Sequence, residues 1–238
     1  ARINEATVRL LTRLGCEVIV ADGSGCCGAL THHLGREAKA YAAVKANVDA
    51  WTAEMEVARS GGGIDAIVVN ASGCGTTVKD YGFMLRTDDA YADRANEISM
   101  LTRDISEFLA ELGEIPAAEL PIDRVTYHSA CSLQHGQKVT EAPKILLQAA
   151  GFDVTEPAES HLCCGSAGTY NMMQPDIANR LRDRKADNIS RTRPEAIATG
   201  NIGCMMQLKD AVDAPVVHTV ELLDWATGGP APAGLDGE

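Results

Sequence analysis

Apolar residues along this chain follow two spacings, one typical of helices and one typical of buried strands. In the segment 38–58 they recur every three or four positions, which predicts a long amphipathic helix. The segment 64–70 is a nearly continuous apolar run, as in strands that are buried on both faces of a parallel sheet. The same reasoning predicts helices over 3–14, 91–112, 142–150, 175–190 and through Trp225, and strands over 17–21, 125–128, 152–155, 196–199 and 216–220. Strands that alternate with helices favour an α/β fold.

The chain presents the same series of features twice. Each half has an apolar helical segment, a short strand, an adjacent pair of cysteines followed by glycine, and an apolar strand that runs into a further cysteine. The pairs are Cys26-Cys27 and Cys163-Cys164, and the later cysteines are Cys74 and Cys204. We therefore predict two tandem Rossmann-like α/β repeats, over 1–118 and 122–227, followed by a disordered tail over 228–238.

The cysteines stand where such a fold places its ligands. Cys74, Cys131 and Cys204 each come just after the carboxyl end of a predicted strand, and Cys26 and Cys27 follow one after a short turn. In open α/β sheets, ligands bind beyond the carboxyl ends of the strands. The sequence thus predicts cysteine-lined sites at these ends.

Composition narrows the class of protein. Of 238 residues, 45% are hydrophobic and 23% charged, as in globular proteins. No apolar run approaches the roughly 20 residues of a transmembrane helix, and the amino terminus does not resemble a signal peptide, so we expect a cytoplasmic protein without a transmembrane segment. A net charge of −12 argues against nucleic-acid binding. Eight cysteines in a cytoplasmic chain favour metal ligation over disulfide bonds.

The second repeat offers four cysteines, which suits either zinc or an iron–sulfur cluster. Cys131, the pair Cys163-Cys164 and Cys204 are separated by 31 and 39 residues, without the tight knuckles that are typical of zinc sites. Adjacent cysteines suit a polynuclear centre, so we favour a cluster and keep a zinc-stabilised interaction module as the alternative.

The first repeat offers three cysteines, Cys26, Cys27 and Cys74, which we also predict to bind a cofactor. The counterpart of Cys131 would fall before residue 1, so this site is expected to be incomplete. We interpret Cys16 as a core thiol. His32, His33, His135 and His161 lie near the cysteine loops and are predicted to hydrogen-bond to sulfur rather than to bind metal.

These motifs resemble the cysteine-rich CCG domains. The resemblance rests on the stretches 25–30, 131–136 and 163–171, and it covers the chain up to about Trp225. Such domains occur in subunits of heterodisulfide reductase and of anaerobic glycerol-3-phosphate dehydrogenase, in lactate utilisation protein A and in the iron–sulfur subunit of glycolate oxidase. The chain resembles the last of these most, through His32-His33 and the segment 180–185.

The resemblance implies an electron-transfer subunit without an active site of its own. Electrons from glycolate oxidised at a flavin in partner subunits would pass through an iron–sulfur centre towards a membrane acceptor, with the complex held peripherally at the inner membrane. It also implies an amino-terminal ferredoxin-like domain outside this chain. The alternatives are a cluster-dependent disulfide reductase and a subunit of a lactate or glycerol-3-phosphate dehydrogenase.

One departure from the family bears on the cluster type. Members with noncubane clusters end each motif with Cys-x-x-Cys, whereas here the motifs continue as Cys74-Gly75-Thr76-Thr77 and Cys204-Met205-Met206-Gln207. A single [4Fe–4S]-type cluster on the four cysteines of the second repeat is therefore the preferred assignment, and a noncubane cluster is the alternative.

Overall fold

A computed structural model describes residues 2–113, 115 and 119–236, and it confirms an α/β fold with parallel strands. The helices are α1 Arg2–Arg13, α2 Ala29–His33, α3 Glu37–Ala58, α4 Ser72–Lys79, α5 Tyr81–Met84, α6 Ala92–Leu101, α7 Ile105–Leu112, α8 Ala142–Ala149, α9 Tyr170–Met173, α10 Pro175–Ser190, α11 Ile202–Leu208 and α12 Thr219–Ala226. The strands are β1 Ile67–Val69, β2 Thr102–Asp104, β3 Arg124–Tyr127, β4 Asp153–Thr155, β5 Ala196–Thr199 and β6 Val216–His218. A 3₁₀ turn covers Arg59–Gly61, and a π-helical segment covers Ser132–Gln137.

The chain divides into two compact units. The large unit comprises residues 1–18, 70–72 and 105–238, and the small unit comprises 19–69 and 73–104. These boundaries differ from those of the predicted repeats, 1–118 and 122–227, so the division into two repeats stays a prediction. Part of the segment expected to join the repeats, 116–118, lies outside the described residues.

The large unit is built on a four-stranded parallel sheet with the order β4-β3-β5-β6. Val125 pairs with Val154 on one side and with Ala196 on the other, which places β3 inside the sheet. The residues of β5 are all buried, as its continuous apolar sequence predicts. Because every strand is parallel, all their carboxyl ends lie at one edge.

The small unit has a two-stranded parallel sheet in which β1 pairs with β2. Its core contains Val44 and Val48 from α3, Tyr81, and Ile98 from α6. The ring of Trp51 stacks on that of Tyr81, with the centroids 6.2 Å apart. The long helix predicted from apolar spacing is therefore the element that covers this core.

Several predicted elements are confirmed closely. Helix α10 begins at Pro175, where a proline fits because the first helical N–H needs no partner. Strand β5 has the predicted bounds, and β3, β4 and β6 agree within two residues. The strand 64–70 is present but shorter, as β1.

Two predicted elements are wrong. Residues 17–21 are described and form no strand; Val20 is 78% exposed, so this β-branched run packs against too little to form one. The single helix predicted over 91–112 is interrupted by β2, whose Thr102 and Asp104 are buried. Pairing of β2 with β1 overrides the helical spacing there.

The predicted tail, 228–238, is described as far as residue 236. The Gly229 N–H donates to the carbonyl oxygen of Asp224 at 2.7 Å, and Pro232 is buried. Residues 237 and 238 lie outside the described residues. Among the helices that the structure describes, none has both the length and the apolar character to cross a bilayer.

Candidate metal centre

Three neighbouring strands of the large unit each lead into a cysteine at the same edge of the sheet. Cys131 follows β3, Cys163 and Cys164 lie in the loop after β4, and Cys204 is in the first turn of α11, directly after β5. The sheet order β4-β3-β5 therefore gathers residues from distant parts of the sequence. This is the position at which α/β folds bind ligands.

The four thiols form a continuous row. The Sγ atoms of Cys131 and Cys163 are 3.9 Å apart. The thiol of Cys164 interacts with that of Cys163, and the Sγ atoms of Cys164 and Cys204 lie within 4.8 Å of each other. Cys164 and Cys204 are buried, whereas Cys131 and Cys163 are half-buried. The structure thus brings together the four residues predicted as ligands, and their binding of metal remains to be proposed.

Neighbouring thiols alter each other's proton affinity along this row. Hydrogen bonds from Cys131 and Cys164 lower the pKa of Cys163, and the first of these bonds raises the pKa of Cys131. A hydrogen bond from Cys164 lowers the pKa of Cys204, while the pKa of Cys164 is raised. Two of the four sulfurs therefore hold negative charge readily, which favours metal binding because the thiolate is the ligand.

A glycine fixes the sharp turn after each cysteine pair. Gly165 has φ +94° and Gly28 has φ +84°, a conformation that costs glycine nothing. A Cβ on Gly165 would overlap the carbonyl oxygen of Ala178 in α10, and a Cβ on Gly28 would lie 3.0 Å from that of Ala40 in α3. Each cysteine pair is thus held against a helix backbone, and the Gly165 N–H donates to the Cys163 Sγ at 3.3 Å.

A buried lysine anchors the loop that leads to Cys163. The Nζ of Lys185 donates to the carbonyl oxygens of Glu159 and Ser160, at 2.8 and 3.2 Å. The carboxylate of Glu159 accepts hydrogen bonds from Arg184 and Asn188. Burial lowers the pKa of Lys185, and the nearby thiols of Cys163 and Cys164 oppose that shift. The side chain of Lys185 therefore lies close enough to the thiols of Cys163 and Cys164 to interact with their charge.

His128 is a site residue that the sequence reasoning missed. Its ring nitrogen lies within 4.8 Å of the Sγ atoms of both Cys164 and Cys204, and all three residues are buried. The available signal was its place at the end of β3, three residues before Cys131, but the apolar pattern assigned it only to the strand.

The histidines predicted to support the centre lie at the surface instead. His32, His33, His135 and His161 are all exposed. The ring of His135 is 3.4 Å from the carbonyl oxygen of His161, not from sulfur. Asn171, at the end of the stretch 163–171 that carries the family resemblance, donates to the side chain of Gln207 at 3.0 Å. Nearness in sequence to a cysteine loop was a poor guide to nearness in space.

The small unit brings Cys26, Cys27 and Cys74 together. A hydrogen bond from Cys74 lowers the pKa of Cys27 to about 6, and Cys26 acts in the same direction. The Tyr81 hydroxyl donates to the Cys27 carbonyl oxygen at 3.0 Å, and the Asn47 amide donates to that of Cys26 at 3.1 Å. Two buried side chains thus hold the backbone of this cysteine pair.

Cys16 lies outside both groups of thiols. It is a free thiol of intermediate burial in the large unit, just after α1. We interpreted Cys16 as a core thiol, and its intermediate burial agrees with this only in part. All eight cysteines are described, and all are free.

Comparison with known proteins matches this arrangement to a family. The family model for a cysteine-rich domain, CCG, matches residues 1–79 and 125–209, which are the two stretches that contain the cysteine pairs. The chain belongs to the CCG cysteine-rich domain family. Each matched stretch of this CCG protein includes one Cys-Cys-Gly turn with its glycine in the left-handed conformation.

Curated relatives of this CCG protein include named iron–sulfur subunits. It is 43% identical over 227 residues to the glycolate oxidase iron-sulfur subunit of Escherichia coli, covering 94% of this chain and 54% of that protein. It is 30% identical over 236 residues to the probable glycolate oxidase iron-sulfur subunit of Bacillus subtilis, covering 94% and 51%. Lactate utilization protein A of Oceanobacillus iheyensis is 28% identical over 232 residues, covering 94% and 91%. The chain thus spans about half the length of the first two relatives.

Proposed function

We propose that this chain is part of an iron–sulfur oxidoreductase subunit and holds a polynuclear centre through Cys131, Cys163, Cys164 and Cys204. The observation that carries the proposal is the continuous row of four thiols, with His128 at its end, beyond one edge of a parallel sheet. Structural zinc takes four ligands in almost all cases. Four thiolates are the ligand set of an ordinary iron–sulfur cluster, and the imidazole beside them is one donor more than a single zinc ion takes.

The names of the relatives indicate the class of reaction in which the proposed subunit takes part. They concern glycolate oxidase and lactate utilization, so the proposed subunit accepts electrons removed from a small 2-hydroxy acid. We propose that a flavin-containing partner oxidises the acid in the cytoplasm and that the electrons continue towards a membrane acceptor. A [4Fe–4S]-type cluster, or the noncubane alternative, would supply one-electron storage at the thiols.

The residues of this chain have separate parts in that role. The four thiolates would hold the centre, and the apolar side chains of Leu133, Ile189, Ile197 and Leu208 pack against Cys164 and Cys204 and exclude water. Lys185 offsets part of the negative charge of the sulfurs. A buried charge near a redox centre shifts its potential, so this lysine favours the reduced state.

The small unit adds a second cysteine site to the proposal. Cys26, Cys27 and Cys74 give it three thiols, one fewer than the four of an ordinary cubane cluster. The equivalent turns at Gly28 and Gly165 support the view that both sites derive from one repeated unit. We propose that the large unit holds the centre that this chain can assemble alone.

A second candidate is a zinc-stabilised interaction module, and one distance favours it. Two thiolates on one tetrahedral zinc, with bonds of about 2.3 Å, lie about 3.8 Å apart. The Sγ atoms of Cys131 and Cys163 are 3.9 Å apart. This spacing suits a single ion, whereas the four thiols and the imidazole together are one donor more than such an ion takes.

Metal analysis of the chain purified without oxygen separates the two candidates. We expect iron, acid-labile sulfide and broad visible absorption, and we expect Cys163→Ser and Cys204→Ser to lose most of all three. Cys16→Ser is the matched control, because this thiol lies outside both sites, and it should keep the absorption. Stoichiometric zinc in a colourless protein would instead establish the second candidate.

A further inference from the structure

The side chain of His128 is buried without a well-formed hydrogen bond. It is 1% exposed, and neither ring nitrogen is within hydrogen-bonding geometry of a partner among the residues that the structure describes. A neutral imidazole has one donor and one acceptor, and both are normally satisfied when the ring is buried. A buried histidine in this state therefore points to a group that binds it.

The backbone holds this ring in place. The His128 N–H donates to the carbonyl oxygen of Ala198 at 2.8 Å, which extends the pairing of β3 with β5 by one residue. Cys204 follows β5 in the chain, so the same pair of strands positions both side chains. The placement of the imidazole beside the sulfur thus results from strand register and not from a mobile loop.

The polar atoms that the ring faces are sulfurs. Its nitrogen lies within 4.8 Å of the Sγ atoms of Cys164 and Cys204, and the surroundings of these two cysteines are apolar, including Leu133 and Ile197. An imidazole nitrogen and a thiolate sulfur on one tetrahedral ion, with bonds of about 2.0 and 2.3 Å, lie about 3.5 Å apart. Small side-chain movements therefore let one metal ion contact all three residues.

We propose that the imidazole of His128 is a direct ligand of the metal centre, together with the four cysteines. This inference rests on the proposed function. A neutral imidazole adds no negative charge to the centre where a further thiolate would, and histidine ligation of iron–sulfur centres raises their reduction potential. His128 would thus set the potential at which the centre accepts an electron.

Pulsed electron paramagnetic resonance of the reduced centre tests the proposal on the unaltered chain. We expect a strong nitrogen coupling that changes when the histidines are labelled with ¹⁵N. His128→Gln should lose this coupling and part of the iron, while His135→Gln, which alters an exposed histidine, should keep both. His128→Cys should retain the iron, lose the coupling and lower the midpoint potential.

Each result has a distinct meaning. A cluster without imidazole coupling in the unaltered chain, or a full coupling in His128→Gln, overturns the ligand assignment and leaves the proposed function standing. The measurement on labelled chain needs no variant, so poor folding of His128→Gln does not prevent the test. A chain without a cluster refutes the proposed function instead. If the metal is zinc, X-ray absorption at the zinc edge is measured instead of electron paramagnetic resonance. A zinc site with sulfur ligands alone then overturns the inference.

Discussion

Replacing Gly165 by alanine tests whether the turn after the second cysteine pair is held against α10. The new Cβ would overlap the carbonyl oxygen of Ala178, and the backbone has φ +94°. Gly151→Ala is a matched control, since Gly151 has φ +96° and no atom lies within 4 Å of an added Cβ. The two substitutions share the cost of a left-handed alanine but differ in the steric overlap.

The expected magnitudes follow from these two contributions. A left-handed conformation costs an alanine about 1–2 kcal/mol, which is the whole effect expected for Gly151→Ala. Overpacking adds about 1–3 kcal/mol, so Gly165→Ala should lose about 2–5 kcal/mol of unfolding free energy. The loop and α10 must also move apart, which displaces Cys163 and Cys164 from the row of thiols.

Urea unfolding of the metal-free chains gives the free energies, and metal analysis of the loaded chains gives the second measurement. We expect Gly165→Ala to be less stable than Gly151→Ala and to bind less metal, while Gly151→Ala binds as much as the unaltered chain. Equal unfolding free energies and equal metal contents in the two variants would refute the reasoning, because the overlap would then have no consequence.

Three further predictions concern the large unit. Burial lowers the pKa of His218 to about 4, whereas a histidine in the unfolded chain has a pKa of about 6.5. As the pH falls from about 6.5 to 4, the unfolded chain therefore takes up a proton that the folded chain excludes, and the free energy of unfolding should fall by about 3 kcal/mol. Urea unfolding of His218→Asn should not show this loss. Lys185→Met removes the two hydrogen bonds that the buried lysine donates to the carbonyl oxygens of Glu159 and Ser160, so it should cost about 1–3 kcal/mol in urea unfolding, and an unchanged midpoint would contradict this. The carboxylate of Asp224 is buried and accepts hydrogen bonds from Arg9 and Arg13. Asp224→Ala should therefore cost about 1–3 kcal/mol in the same assay, and Arg13→Ala should cost less because Arg9 remains. Equal losses in the two variants would argue against the shared pairing.

The sequence was sufficient to predict those elements whose local pattern agrees with their tertiary environment. The proline at the first position of α10 and the continuous apolar run in β5 indicate, from local sequence alone, where α10 begins and where β5 lies. The segment 91–112 has helical spacing throughout, yet β2 interrupts it because three of its residues pair with β1. Such pairing depends on residues far away in the chain, which a local pattern does not contain.

The residues of the candidate site were also only partly predictable from the sequence. Cysteines are rare and chemically distinctive, so their positions after strands were enough to predict that Cys131, Cys163, Cys164 and Cys204 would meet. Histidine is common at surfaces, and its position in sequence did not separate His128 from the exposed His135. What distinguishes them is burial beside sulfur, which results from the register of β3 against β5.

The order of the strands in the sheet also governs when this centre can be assembled. Strand β3 is synthesised before β4 and β5, yet it lies between them. A ribosome-bound chain that ends before Cys204 therefore presents three of the four thiols beside an unfinished sheet. The proposed centre therefore has its full set of sulfur ligands only after Cys204, the last of them along the chain, has been synthesised.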